Sequence, residues 1–230
     1  MQYHYNIAVI LHLMARDVKN LQAVRVAETE ERILTAAREL FVRDGYAATT
    51  LTAIADTARV AHRTVYVRFG TKADLLKRVV DVAVVGDTQD IDVQSRDWYQ
   101  AALAAPTIDE RIRLLADGSA ALMARAGDVF AVAQQAEPAE PGIADAARAG
   151  RAATRDSLRR FFTQMRDDGL LPADADLDWL CDTAGMLGHA STYLLIRETL
   201  GWTTSQYRTW LGTTWERLIT AATRPDAPAA

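Results

Sequence analysis

The chain has 230 residues, of which 50% are hydrophobic and 24% charged, which suits one ordinary domain or two small ones and excludes a disordered chain. Its apolar runs stop short of the ~18 residues of a membrane span, and a single cysteine, Cys181, rules out an intramolecular disulfide or a cysteine zinc cluster. The net charge of −4 conceals a division: residues 1–80 hold 12 Lys and Arg against 8 Asp and Glu, and residues 81–230 hold 14 against 22, so the first third is the part suited to meet a polyanion.

Residues 1–28 read as an N-terminal extension. The short apolar stretch Ile7–Met14 has no preceding positive residue and no clear cleavage site, so it predicts an added helix or a frayed arm and not a secretory signal. Met14 is an alternative start. From Glu30 to Arg43 the residues Ile33, Leu34, Ala37, Leu40 and Phe41 share one helical face, with Gly45 as a stop. Thr49 or Thr50 then caps a short helix, Leu51–Ala58. Arg59-Val60-Ala61 is a tight connection to a second, His62–Phe69, which stops at Gly70, and a longer helix runs from Lys72 to Val85.

Gly86–Pro106 is less regular. Thr107 and Glu110 form a capping box that opens a helix to about Arg125, and Gly127-Asp128 starts another, Val129–Ala136. Pro138, Pro141 and Gly142 mark a break. Long helices are predicted at Ile143–Asp168, Leu177–Leu200 and Ser205–Thr223, stopped by Gly169 and Gly201 where a glycine follows. Residues 224–230 are a Pro/Ala-rich tail expected to be disordered. No strand pattern or repeat occurs. The expectation is an all-α chain, with a small helical domain at 29–85 and a larger one at 86–223.

The stretch from Thr49 to Leu76 carries the chemistry. Two short helices with a three-residue joint are the arithmetic of a helix-turn-helix. Leu51, Ile54 and Ala55 brace the second helix, Ala58 and Val60 fill the joint, and His62, Arg63 and Thr64 point outward where the major groove is read. Taken singly, His62 and Arg63 also fit a solvated helix start, Tyr66 a core aromatic and the threonines simple caps; the combination on the basic third of the chain favours DNA.

The run from Glu31 to Leu76, with Ile33-Leu34, Leu40-Phe41, Gly45-Tyr46, Thr49-Thr50, Ile54-Ala55, Val65-Tyr66, Phe69 and Lys72 before Leu75-Leu76, resembles the N-terminal DNA-binding domain of the tetracycline-repressor (TetR) family. Arg59 stands where that family usually has glycine, and Ala61 where it often has a capping serine. The resemblance implies that the helix from His62 lies in the major groove. Arg63 and Thr64 then face base edges, Tyr66, Arg68 and Lys72 hold phosphates, Thr49 adds a hydroxyl and an N–H to a phosphate, and Arg59 offers a further phosphate contact. Thr50 belongs to the same set. A weaker likeness covers Leu194–Glu198 and Gly201-Trp202, with Tyr207 and Trp210.

The resemblance further implies a small-molecule effector, a homodimer and double-stranded operator DNA as partners, in the cytoplasm and away from membranes, where the lone thiol of Cys181 also fits. Candidate ligand-binding residues are Met123, Phe130, Gln134, Phe161 and Phe162, with Met165, Trp179, Met186, His189 and Tyr193; an aromatic or Met stripe at helical spacing is equally a core. Gly185, Gly188 and Ser191 form a small-residue stripe that lets another helix approach, and Tyr207, Trp210, Leu211, Thr214 and Leu218 recur at three and four, so these helices are expected at a dimer interface. No catalytic triad, paired carboxylates or phosphate loop occurs, and no enzyme activity, cofactor or metal is expected, although Asp174, Asp176, Asp178 and Asp182 crowd one helix start. The expected function is a ligand-released dimeric repressor. The alternatives are a helix-turn-helix activator or ligand-independent regulator, and a helical enzyme or carrier with an accidental resemblance.

Overall fold

A computed structural model describes residues 7–86 and 93–222, with side chains from Val24 onward. Residues 87–92 of the irregular connection and the 224–230 tail lie outside the described residues. The described residues form ten α-helices and one 3-10 turn, with no strand. The chain divides into two compact units, Met1–Leu75 and Leu76–Ala230.

In the first unit α1 spans Ile7–Ala48, and its backbone leaves the helical region at Gly45, φ 79°. Ile33, Leu34, Ala36, Ala37, Leu40 and Phe41 of α1 are buried, and the Phe41 ring stacks on Tyr46 at 5.9 Å. Three further helices have the predicted bounds: α2 Leu51–Ala58, α3 His62–Phe69 and α4 Lys72–Val85, the last crossing the division between units. Local chemistry makes these ends legible. Thr50 Oγ1 accepts the Ala53 N–H at 3.1 Å and starts α2, and Thr71 Oγ1 accepts that of Asp74 at 3.0 Å to start α4.

In the second unit α5 is Asp97–Ala104, α6 Ile108–Ala136, α7 Pro141–Asp167, α8 Leu177–Leu187, α9 Ala190–Leu200 and α10 Thr204–Ala222. Thr107 caps α6 as predicted, accepting the Glu110 N–H at 3.3 Å. Two boundaries differ from expectation. First, α6 runs through Gly127 without a break. That glycine is a close-approach seat: a Cβ there would stand 2.7 Å from the Tyr193 ring. Second, the predicted helix 177–200 is two helices. Gly188 ends α8 and His189 is extended at φ −71°, ψ 147°;. Pro141 begins α7 at its first turn, where its missing N–H costs nothing.

The core of this unit joins α5, α6, α7, α8, α9 and α10. Tyr99, Ile112, Phe161, Phe162, Met165, Leu180, Tyr207, Leu211 and Trp215 are all at most 2% exposed within it. Arg111, 4% exposed, donates from Nε to the Ala105 carbonyl at 2.7 Å and pairs with Asp168 at 2.5 Å. The Asp168 carboxyl is held below the usual carboxylate range chiefly by that guanidinium.

Candidate nucleic-acid interface

The joint between α2 and α3 is built on an arginine in the left-handed region, Arg59 at φ 54°, ψ 49°. This conformation lets the Val60 N–H reach the Ala55 carbonyl at 3.0 Å and close the end of α2. Arg59 is the one non-glycine residue with positive φ among the described residues, and the position costs an L-residue about 1–2 kcal/mol relative to glycine. Ile54, Ala55 and Ala58 of α2 and Val65 of α3 are buried and fix the two helices. Ala61 precedes α3 and supplies no side-chain cap, so the first N–H groups of that helix have no hydroxyl partner.

The nine residues expected to contact DNA separate into two groups. Arg59, His62, Arg63 and Tyr66 are exposed, Tyr66 at 67%, and Thr64 is half-buried. His62 Nε2 lies 2.8 Å from Asp56 Oδ1 at the surface. The other four make contacts within the chain, Thr50 at the surface and Thr49, Arg68 and Lys72 more deeply. Thr49 is 2% exposed, with its hydroxyl 2.8 Å from the Gly45 carbonyl. Thr50 spends its oxygen on the α2 cap. Arg68 pairs with Glu30 of α1 at 3.1 Å, both about a quarter exposed. Lys72 donates to the carbonyls of Tyr46, at 2.7 Å, and Thr49, at 2.9 Å, and lies 4.2 Å from the Tyr46 ring centre. It ties the start of α4 to the end of α1 and so sets the seat of α2. These partners are 23 to 38 residues away in sequence, beyond the reach of local pattern. Val67, 71% exposed on α3, carries no sequence signal that marks it as a contact.

The ten ligand candidates lie in different settings. Met123, Phe161, Phe162, Met165 and Tyr193 are buried core residues, and Phe130 packs against them half-buried. Trp179 and Met186 face outward, Met186 at 69% exposure. Gln134 donates to Ser191 Oγ at 2.6 Å. His189 caps α9, its Nδ1 accepting the Ser191 N–H at 3.1 Å, and burial followed by nearby Arg151 holds its imidazole below the ordinary histidine range. A shallow groove of the body is lined by Ala131, Gln134, Gln135, Leu194, Arg197 and Glu198. Of the ten, Gln134 alone lines it.

Of the expected dimer residues, two are buried, five are half-buried and one is exposed. Tyr207 and Leu211 are fully buried. Trp210 meets the Trp202 ring edge-on and the Tyr207 ring at a tilt, Leu218 leans on the core, and Thr214 donates to the Trp210 carbonyl. Gly188 seats Trp215 and Gly185 faces Leu158, so the helices that approach these glycines belong to the same chain. Only Ser191 of this set is exposed. The apolar side chains that α8 and α9 leave outside are Trp179, Met186, Leu195 and Leu200. In the acidic cluster Asp176 caps α8, and Asp178 and Asp182 pair with Arg159 and Arg155. Cys181 is buried beside them, its thiol pushed up to about 11 by burial.

Residues 33–79 match the family of bacterial regulatory proteins described as the tetR family. Most of the chain also superposes on solved structures of that family. A TetR-family regulator from Rhodococcus sp. is 14% identical with a TM-score of 0.65, covering 84% of this chain and 99% of its own. One from Mesorhizobium loti is 18% identical with a TM-score of 0.64, covering 85% and 97%. The SmeT–triclosan complex is 17% identical with a TM-score of 0.65, covering 87% and 94%. No curated protein matches the sequence. The chain thus has the TetR-family fold, an N-terminal helix-turn-helix followed by a larger helical region, and among the described residues no helix is long and apolar enough to cross a membrane.

Proposed function

We propose that this protein is a dimeric transcriptional repressor that binds a palindromic operator through α3 and leaves it when a small apolar ligand enters the body. The observation that carries the reading is the outward face of α3, where Arg63 and Tyr66 stand exposed on a helix braced by Val65, within the segment that matches the regulator family. An arginine there forks onto guanine, and Tyr66 and Arg59 hold phosphates. Two copies of α3 read half-sites about 34–36 Å apart.

Because Arg68 and Lys72 are engaged within the chain, the exposed arginines among the expected contacts are Arg59 and Arg63 on each of two chains. Four such contacts give a slope of log K against log salt of about −3.6. Gel shifts with DNA flanking the gene test the reading: Arg63→Ala relaxes base preference, and Arg59→Ala weakens all sequences alike and flattens the slope. Absence of any preferred duplex overturns it.

For the dimer, the exposed Met186, Leu195 and Leu200 on α8 and α9 support a contact there, and Leu195→Glu separates the copies in sedimentation. For the ligand, the SmeT structure contains triclosan, and here the core contains a tyrosine hydroxyl in need of a partner. The Tyr207 hydroxyl is buried with no hydrogen-bond partner among the described residues, a cost of about 1–3 kcal/mol, and burial pushes its ionisation upward. A ligand acceptor between α6 and α10 satisfies it. Tyr207→Phe then leaves DNA binding intact and raises the ligand concentration needed for release.

A further inference from the structure

We propose that Val67 reads the 5-methyl group of a thymine in the major groove, beside the base pair taken by Arg63. The proposal rests on the DNA-binding reading above and deepens it by naming the feature an apolar side chain would recognise. Val67 is 71% exposed, more than any other large hydrophobic side chain among the described residues. At 100° per residue, Tyr66, Arg63 and Val67 fall within a ~100° sector of α3 with Arg63 in the middle. Val65, fully buried, points the other way and holds the helix down. That sector is therefore one tyrosine, one arginine and one valine, with the exposed His62 beside Tyr66 at the start of the helix.

An exposed valine gains nothing from water and lowers helix propensity. Its branched side chain keeps nearly one rotamer in a helix, so contact costs it little entropy. The occupant of this face follows from its neighbours. Arg63 and Arg59 are exposed cations, which favours a polyanion over an apolar protein surface. Among duplex base edges in the major groove, the thymine methyl is the apolar feature. Arg63 and Val67 are one turn apart, about 6 Å along the axis, against a base-pair rise of about 3.4 Å. A fork to guanine from Arg63 therefore leaves Val67 over a base one or two pairs away.

The test uses the full chain and a randomised duplex library. After selection, each thymine of the bound duplex is replaced singly by deoxyuridine, which keeps every pairing and groove hydrogen-bonding group and removes only the methyl. The expected result is one position per half-site at which affinity falls about fourfold, the worth of one buried methyl. Val67→Ala, an exposed change that circular dichroism shows to be folded, binds the thymine and uracil duplexes equally. Equal binding of every uracil duplex by the unaltered chain overturns the proposal, as does a Val67→Ala protein that still discriminates. If no duplex is enriched, the DNA-binding reading falls too, and a protein partner for this face takes its place; enrichment without methyl dependence removes only the role of Val67.

Discussion

Glycine works in one way in the first unit and in two ways in the second. In the first, Gly45 and Gly70 sit at φ 79° and 72° and end helices by turning the chain. In the second, Gly118, Gly127 and Gly188 keep negative φ and leave room for rings: Trp98 lies over Gly118, Tyr193 over Gly127 and Trp215 over Gly188. The first unit uses the residue for its backbone freedom; the second does so too, where Gly86, Gly169 and Gly201 sit at φ 95°, 74° and 64°, and also uses its missing Cβ. Close approach of rings over glycine is thus a feature of the larger unit.

The largest expected effect is at Gly118. A Cβ there overlaps the Trp98 indole, so Gly118→Ala is expected to lower stability by about 3 kcal/mol, the upper end for overpacking, read as a fall in the urea midpoint. Gly150 is also inside a helix, but nothing lies within 4 Å of its would-be Cβ. Gly150→Ala should therefore stabilise by up to about 1 kcal/mol, and a loss there would show that α7 is covered by another surface. Next comes Arg59, which holds a glycine conformation with an arginine. Arg59→Gly is expected to raise the thermal midpoint, by about 1 kcal/mol of stability, while lowering operator affinity.

The smallest expected effect concerns pH. Burial, then Arg151, holds His189 below the ordinary histidine range, and Glu137 opposes them. The folded state then binds this proton less readily than the unfolded chain. The contribution is fully present above a pH of about 6.5, the value for an unperturbed histidine, and is lost as pH falls below it toward the lowered folded value. His189→Asn keeps a cap for α9 without titrating, and its denaturation midpoint should vary less between neutral and mildly acid pH than that of the parent.

Legibility in the sequence follows the range of the forces involved. The bounds of α2, α3 and α4 depend on caps and stops within a few residues, Thr50, Gly70 and Thr71, and were readable. Gly127 resembles a stop, but its role depends on Tyr193, a residue of another helix. Tyr207 and Leu211 repeat with the period of an interface, and period alone does not say whether the partner is α6 of the same chain or a second copy. In the DNA-facing unit, exposure decided what residue type could not: Lys72 and Arg68 are cations already in use, and Val67 is an apolar residue left outside.

The break at Gly188–His189 has a consequence for motion. α8 and α9 have 11 residues each, below the ~12–15 at which an isolated helix persists in water. Each therefore endures by what it leans on. For α8 that support includes Trp215 of α10, whose indole N–H donates to the Ala184 carbonyl at 3.2 Å while its ring lies over Gly188. Amide hydrogen exchange along 177–187 thus gauges the docking of α10, and protection there should fade in step with any loosening of the C-terminal helix.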